Sequence, residues 1–103
     1  MQEFYVYITT NPTKTTLYTG LTNDLQRRLN EHFNNRGNDE TFAGKYYCYN
    51  LIYYEAFPTS HEAIQAEKYI KGKSRKKKEV IIELMNPTKA VLNSKVCGTW
   101  PPK

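Results

Sequence analysis

The sequence lacks long apolar runs. No stretch of its 103 residues approaches the roughly 20 consecutive apolar residues that a bilayer-spanning helix requires. A predicted strand begins within the first few residues, without the basic and apolar segments of a secretory signal. These absences argue against a membrane or secreted protein, so we expect no membrane partner and a cytoplasmic location.

Cysteine is also scarce, because the chain contains only Cys48 and Cys97. The two residues stand far apart and lack the C-x-x-C spacing of a structural zinc site. They are also too few for the disulfide framework of a small secreted domain. We therefore expect two ordinary reduced thiols.

Acidic residues are fewer than basic ones. There are 10 aspartates and glutamates against 15 lysines and arginines, and the formal net charge is +5. This balance favours an anionic partner, with nucleic acid first, although many soluble proteins without such a partner carry a similar charge. The length suits one domain with one modest apolar core.

Two short strands are predicted near the N-terminus, over Phe4–Ile8 and Thr16–Leu21, because apolar and polar or aromatic residues alternate there. Between them, Asn11–Lys14 has the composition of a four-residue turn. With this turn, Tyr7 lies opposite Tyr18. Both phenols then occupy one face of the hairpin, which is an ordinary arrangement in sheets unless neighbouring groups add chemistry.

A helix is predicted directly after the hairpin, with Asn23 as its N-cap. Its apolar stripe consists of Leu25, Leu29 and Phe33. Arg28 and His32 form a second i, i+4 pair beside that stripe. The helix therefore carries a cation and an imidazole next to a hairpin face with two phenols.

The remainder of the chain alternates polar segments with periodic ones. Residues 34–45 are predicted to form a loop, and Leu51–Ala56 to form a strand. Thr59 and Ser74 are predicted N-caps of two further helices. The tyrosines of residues 46–54 either stack on unpaired bases or pack in the core, and core packing is the favoured interpretation for most of them. The fold class predicted is α/β (α+β), a small three-stranded antiparallel sheet flanked by about three helices.

Glu67 lies on the apolar stripe of the second helix, between Ala63 and Ile70. A carboxylate there is costly unless it is paired with a basic side chain or bound to a cation, and both alternatives are open. The densest charge run follows this helix and contains Lys71, Lys73, Arg75, Lys76, Lys77 and Lys78. Such a run is either a solvated face or a surface that binds phosphate groups.

Several of these blocks together resemble the GIY-YIG nuclease superfamily. They are Tyr5-Val6-Tyr7, Tyr18-Thr19-Gly20, and the Asp-Leu-x-x-Arg-Leu-x-x-His run from Asp24 to His32. The likeness continues through Leu51-Ile52-Tyr53-Tyr54-Glu55, Glu67-Lys68-x-Ile70-Lys71-Gly72, Arg75-Lys76-Lys77-Lys78 and Met85-Asn86-Pro87. The resemblance is specifically to small stand-alone bacterial proteins that are similar to the N-terminal catalytic domain of the excinuclease. It covers residues 3–88, so residues 1–88 are predicted to form the nuclease-like domain and residues 89–103 a C-terminal tail. Two departures are Tyr5, in place of the name-giving glycine, and Thr19, in place of isoleucine.

The resemblance implies a metal-dependent endonuclease that hydrolyses DNA phosphodiester bonds, with a role in DNA repair or recombination. It implies Tyr7 as general base, with Tyr18 assisting through hydrogen bonding. Arg28 would hold the scissile phosphate, and His32 would orient Tyr18 or contact phosphate. Glu67 would bind Mg²⁺ or Mn²⁺, whose preference for oxygen ligands and water a single carboxylate can meet.

The resemblance also implies supporting roles for three residues. Gly20 and Asn86 would shape the site, although Asn86 is equally well explained as a helix stop, and Lys45 would contact phosphate.

Two other classes of function are compatible with the sequence. One is a non-catalytic module that binds nucleic acid, DNA in preference to RNA. The other is a domain whose basic face binds an acidic protein, and a protein partner would in any case be a source of specificity.

Overall fold

The computed structural model of the chain describes residues 3–102. Its elements are β1 (Phe4–Thr10), β2 (Leu17–Thr22), α1 (Leu25–Asn34), α2 (Phe42–Lys45), β3 (Asn50–Phe57), α3 (Ser60–Lys71), α4 (Arg75–Met85) and α5 (Asn93–Cys97). The predicted α+β class is confirmed, with three long helices around an antiparallel sheet. Two short helices were not predicted, and one of them, α2, lies within the predicted loop of residues 34–45. Between residues 3 and 102, the helices are all too short or too polar to cross a bilayer.

The sheet has the strand order β2-β1-β3, and both pairings are antiparallel. Successive residues of the central strand point to opposite faces. Val6 and Ile8 pack on one face with residues of α3 and α4, whereas Tyr7 packs on the other face with Leu25 and Leu29 of α1. Helices α1 and α3 therefore lie on opposite sides of the sheet.

The predicted register of the first hairpin was wrong by two residues. Tyr7 pairs with Gly20, and Tyr18 pairs with Thr9. Because side chains alternate with a period of two, a two-residue slip leaves each side chain on its original face. Tyr7 and Tyr18 therefore still share the α1 face, but diagonally.

The connection between β1 and β2 is longer than predicted, which explains the slip. Six residues, 11–16, separate the strands instead of four. The side chain of Asn11 organises this loop, since its Oδ1 accepts hydrogen bonds from the N–H groups of Thr15 (2.8 Å) and Thr16 (3.0 Å). An asparagine side chain can replace a backbone partner in this way, so the turn extends beyond the four residues expected.

The helix caps agree with the sequence in two cases out of three. Thr59 and Ser74 each accept a hydrogen bond from the N–H group three residues later, as predicted. The N-cap of α1 is Asp24, which accepts from the N–H of Arg27 at 3.1 Å, and the prediction of Asn23 was wrong by one residue. Both residue types cap helices well, so composition alone does not separate them.

Backbone and side-chain groups from the C-terminal part of the chain cover the outer edge of β3. Leu92 N–H donates to the carbonyl of Leu51 at 2.7 Å, and Asn93 Oδ1 accepts from the N–H of Leu51 at 2.7 Å. Asn86 Nδ2 donates to the carbonyl of Ile52 at 2.9 Å. These bonds protect an edge that would otherwise be open to other strands. Residues 89–102 thus pack on the sheet, and the division of the chain at residue 88 stays a prediction.

Candidate active site

Tyr7 is the centre of a small polar cluster inside the α1 face of the sheet. Its side chain is fully buried. The hydroxyl lies 2.8 Å from His32 Nε2 and 3.3 Å from Arg28 Nε. Arg28 and His32 reach the same atom because they stand one turn apart on α1, whose apolar residues Leu25 and Leu29 pack against the tyrosine ring. The cluster therefore depends on the packing of one helix on one strand.

Tyr18 completes the cluster from the edge strand. Its ring centroid lies 6.2 Å from that of Tyr7 and 5.3 Å from that of His32, with an edge-to-face geometry toward the imidazole. Tyr18 is half-buried. It contacts the imidazole through its ring, and the assisting role in hydrogen bonding that the resemblance implies stays a prediction.

Gly20 lies directly opposite Tyr7, and the tyrosine ring covers it. A Cβ atom added to Gly20 would be 2.5 Å from Cζ of Tyr7 and 2.9 Å from Cε1, far closer than van der Waals contact. The supporting role expected of Gly20 thus has a steric basis. The residue leaves room for the Tyr7 ring to lie flat on the sheet and to direct its hydroxyl at α1.

The environment controls protonation in the cluster. Burial, reinforced by the nearby Tyr18, raises the pKa of Tyr7 well above its usual value of 10, although Arg28 opposes this shift. Burial and the charge of Arg28 lower the pKa of His32 to about 4. At neutral pH both groups are therefore uncharged. The Tyr7 hydroxyl shares a hydrogen bond with His32 Nε2 and accepts one from Arg28 Nε.

The lowered pKa of His32 makes folding stability depend on pH. The unfolded chain protonates this imidazole near pH 6.5, whereas the folded chain does so only near pH 4. Between these values the unfolded state binds more protons. The contribution is fully present above pH 6.5 and is lost as the pH falls. We expect the free energy of unfolding, measured with urea, to decrease by about 2 kcal/mol from pH 7 to pH 5 through this residue alone.

The variant His32→Gln isolates the effect of that imidazole from the titration of carboxylates. It should remove about 2 kcal/mol of the difference between the two pH values. The matched control is His61→Gln, because His61 is exposed at the start of α3. An unchanged pH dependence in His32→Gln would contradict the assignment of a neutral, buried imidazole.

Arg28 is the cluster member that faces solvent. Its guanidinium Nη1 pairs with Glu31 at 3.0 Å, and its side chain is 39% exposed. It lines two adjoining clefts. One cleft lies toward Thr22 and Asn23, and the other lies toward Asn35 and the loop that contains α2. The fork of donors is thus placed where a phosphate group can approach it from solvent.

Within residues 3–102, Glu67 makes no hydrogen bond or ion pair with a member of the Tyr7 cluster. It is carried by α3 on the other side of the sheet, and its carboxylate pairs with Lys71 at 3.3 Å. Helix α3 contacts the edge strand β2 as well as β1 and β3. The salt bridge that the residue pattern allowed is present. Because the Lys71 side chain is more than half exposed, this pair is weak and easily exchanged.

The part of the chain that the structure describes contains no cluster of three or more His, Cys, Asp or Glu side chains that could hold a metal ion. The fit of a metal therefore rests on one carboxylate. A single carboxylate with several waters suits Mg²⁺ or Mn²⁺, which retain much of their hydration shell. The carboxylate of Glu67 is compatible with such an ion, but not with a metal ion that needs several protein ligands.

The basic run is only partly free to bind an anion. Arg75 donates to the carbonyls of Thr15 at 2.6 Å and Lys14 at 3.1 Å, so it holds the β1–β2 loop. Lys73 lies over the ring of Tyr69 at 4.2 Å. Lys76 and Lys77 are exposed on α4, and Lys78 is half-buried there. Arg75 thus has a structural role in holding the loop. For the lysines of the run, a role in binding nucleic acid stays a prediction.

Two further predicted residues have clear local contacts. Asn86 is buried at the end of α4, and its side chain donates to the carbonyls of Ile52 and Ala90. This pairing explains Asn86 through the edge of β3, and a role in the active site stays a prediction. Lys45 is exposed on α2, where its Nζ lies 5.5 Å from the centroid of the Tyr46 ring. Lys45 belongs to the loop that borders the cleft at Tyr18, and its contact with phosphate stays a prediction.

Sequence reasoning missed Phe42. Its ring is 51% exposed and lies stacked at 6.3 Å from Tyr18, with 25° between the planes. Among the tyrosines of residues 46–54, Tyr53 is buried and Tyr49 and Tyr54 are partly buried, as favoured for most of them, but Tyr46 and Tyr47 are exposed. The only local signal was Thr41, a good N-cap residue, which does accept from Gly44 N–H and begins α2.

The fold and the cluster define a class of protein. The family model described as the GIY-YIG catalytic domain matches residues 3–79, and the chain belongs to the GIY-YIG nuclease family. Among curated relatives, a UPF0213 protein of Bacillus pumilus is 45% identical over 69 residues, which cover 67% of this chain and 68% of the relative. A UPF0213 protein of Bacillus velezensis is 42% identical over 80 residues, 78% of this chain and 76% of the relative.

A solved structure supports the same assignment. The solution NMR structure of a UPF0213 protein from Bacillus halodurans superposes with a TM-score of 0.54 and 29% sequence identity. The match covers 89% of this chain and 95% of that protein. The predicted resemblance to small stand-alone GIY-YIG proteins is confirmed, and so is the predicted fold.

Proposed function

We propose that this protein is a divalent-metal-dependent endonuclease that hydrolyses DNA phosphodiester bonds, with a role in DNA repair or recombination. The observation that carries the proposal is the buried Tyr7 hydroxyl held between His32 and Arg28. A tyrosine in a purely structural position needs one hydrogen-bond partner. Here the hydroxyl has a proton acceptor on one side and a fixed cation on the other, which is the arrangement that general base chemistry requires.

The cluster supports proton transfer through Tyr7 in place of a preformed phenolate. Burial disfavours the charged phenolate, so Tyr7 must lose its own proton as it gains one from the attacking water. His32 would accept the phenol proton at Nε2, 2.8 Å away. Since burial and the charge of Arg28 also disfavour the imidazolium, this transfer would require Arg28 to move away from His32 toward the phosphate. The water oxygen then forms the bond to phosphorus, and the leaving oxygen of the DNA backbone departs with the electrons of the broken P–O bond.

Arg28 links the binding of phosphate to the exposure of the Tyr7 hydroxyl. In the absence of substrate its Nε bonds the Tyr7 hydroxyl and its Nη1 pairs with Glu31. An exposed ion pair of this kind contributes between 0 and about 1 kcal/mol, whereas a guanidinium binds a phosphate through two parallel hydrogen bonds. Exchange of Glu31 for the scissile phosphate would draw Arg28 outward. It would also uncover the hydroxyl that the nucleophilic water must reach.

Glu67 would hold the Mg²⁺ or Mn²⁺ ion together with waters. When bound, such an ion neutralises charge that develops on the phosphate oxygens. The remaining tasks belong to the protein: Arg28 positions the phosphate, and Tyr7 and His32 move the proton. Because α3, which carries Glu67, also contacts the edge strand β2, a DNA backbone held by Arg28 would have to pass that edge to approach Glu67, next to the cleft toward Thr22 and Asn23.

The proposal is tested by cleavage of supercoiled, single-stranded and branched DNA in the presence of Mg²⁺ or Mn²⁺. We expect the wild-type protein to cut at least one of these substrates, with EDTA and Glu67→Ala each abolishing the activity. The matched control is Glu83→Ala, which removes an exposed carboxylate from α4 and should cleave like the wild type. The proposal fails if the wild type cuts none of them, or if Glu67→Ala cuts as well as the wild type.

A second candidate function is a nucleic-acid-binding module without turnover. The net charge of +5 and the exposed lysines of α4 favour it. For duplex DNA it predicts that log K falls by about 0.9 per phosphate contact for each unit of log salt concentration, with no metal-dependent product. A protein partner that supplies specificity, and a cytoplasmic location, stay predictions under either function.

A further inference from the structure

Exposed aromatic rings extend outward from the Tyr7 cluster. Tyr18 touches the imidazole of His32, Phe42 stacks beside Tyr18, and the ring of Tyr46 lies 4.8 Å from that of Phe42. Phe42 and Tyr46 are 51% and 41% exposed. The row thus begins inside the candidate active site and ends in solvent.

The loop that carries these rings has a fixed conformation. Gly44 is buried, and an added Cβ would lie 2.7 Å from the carbonyl oxygen of Asn35 at the end of α1. The carbonyl of Gly44 accepts from the N–H of Gly37 at 2.8 Å, and Thr41 caps the helix. The loop therefore buries its small residues against α1 and holds Phe42 outside. A large apolar ring exposed on a rigid support is the usual form of a binding surface.

Polar and charged groups lie next to the exposed rings. The cleft between Tyr18 and Phe42 is also lined by Arg28, His32 and Asn35. The Nζ of Lys45, on the same loop, lies over the ring of Tyr46 at 5.5 Å from its centroid. A base stacked on Phe42 would therefore have two cations nearby, Arg28 in the cleft and Lys45 on the loop, that can bind its flanking phosphates.

We propose that Phe42 and Tyr46 form a stacking subsite for an unpaired base of the strand that Arg28 holds. The substrate class is then single-stranded or locally unpaired DNA. Bases inside a duplex are already stacked on both faces, whereas an unpaired base offers a free face to an aromatic ring. The inference rests on the proposed function for the identity of the strand, but the subsite itself is a binding property that does not require cleavage.

The subsite is tested by binding in EDTA, so that no metal-dependent cleavage occurs. The probes are a single-stranded oligonucleotide that contains 2-aminopurine and a blunt hairpin duplex of the same sequence. We expect Phe42→Ala to weaken binding of the single strand by about 5- to 150-fold, the range that stacking of one base provides. Binding of the duplex should change less than twofold. Phe42→Trp should bind the single strand like the wild type, because tryptophan keeps an aromatic face at this position.

The matched control is Tyr69→Ala. Tyr69 is 61% exposed on α3 and also has a lysine over its ring, but it lies on the far side of the sheet. It should bind both probes like the wild type. The inference is wrong if Phe42→Ala binds the single strand like the wild type, if it loses duplex binding equally, or if Tyr69→Ala shows the same loss. Since Phe42 is exposed, its variants should melt within a few degrees of the wild type, which checks the fold.

The two proposals fail in distinguishable ways. A wild-type protein that cuts no DNA, yet loses single-strand binding in Phe42→Ala, removes the nuclease function and retains the subsite. A wild-type protein that cuts DNA, with cleavage and binding unchanged in Phe42→Ala, removes the subsite and retains the nuclease function.

Discussion

Replacing Tyr7 with phenylalanine is expected to lower the rate of DNA cleavage by about 10²- to 10⁴-fold, the contribution typical of a general base. The fold should persist, because phenylalanine keeps the buried ring that packs on Leu25 and Leu29. Only the hydroxyl is lost, together with its bonds to His32 Nε2 and Arg28 Nε. The measurement is the single-turnover rate on the best DNA substrate with saturating Mg²⁺ or Mn²⁺.

Tyr5→Phe is the matched control for this prediction. Tyr5 lies two residues earlier on the same face of β1, and within residues 3–102 its hydroxyl makes no hydrogen bond. It should cleave within a few-fold of the wild type. If Tyr7→Phe retains full activity while Tyr18→Phe loses it, the half-buried Tyr18 is the base and Tyr7 only positions His32.

Replacing Gly20 with alanine is expected to lower both the stability of the protein and the rate of cleavage. The added methyl group meets the ring of Tyr7 at 2.5 to 2.9 Å, and this ring is fully buried, so it cannot move without disturbing α1. Overpacking of this kind costs about 1–3 kcal/mol of stability. Cleavage should fall by about 10²-fold, because a displacement of 1 Å at a catalytic group has that order of effect.

Two comparisons make the steric explanation testable. Gly72→Ala is a matched control at the end of α3, where an added Cβ meets its nearest atom at an ordinary 3.4 Å. It should leave stability and cleavage unchanged within error. In a Tyr7→Leu background the flexible, smaller side chain can move aside, so Gly20→Ala should cost much less stability there. An equal cost in both backgrounds would mean that the tyrosine ring is not the obstacle.

The local pattern of the sequence accounts for the faces of the sheet. Strict alternation from Phe4 to Ile8 predicts which side chains of β1 share a face, and the structure agrees. The i, i+4 spacing of Arg28 and His32 likewise predicts that they lie together. Both patterns are properties of a single element, so no knowledge of the neighbours is needed to derive them.

The register of the hairpin shows where local reasoning ends. The residues of the connection predicted a four-residue turn, but the Asn11 side chain stabilises a longer loop. Tyr7 therefore pairs with Gly20, and not with Tyr18 as predicted. Face assignment survives because the slip is even. The consequence for the site is large, since the strict need for glycine at position 20 arises only from this register.

The sequence by itself determined the family, the two faces of the hairpin and the side of α1 that carries Arg28 and His32, since these follow from short-range periodicity and motif order. Tertiary structure alone decided that the Tyr7 hydroxyl bonds His32, 25 residues away, and that burial leaves both groups uncharged. It also placed Glu67 across the sheet and Phe42 at the mouth of the cleft. Contacts between distant segments depend on how whole elements pack, and no local pattern of residues encodes that packing.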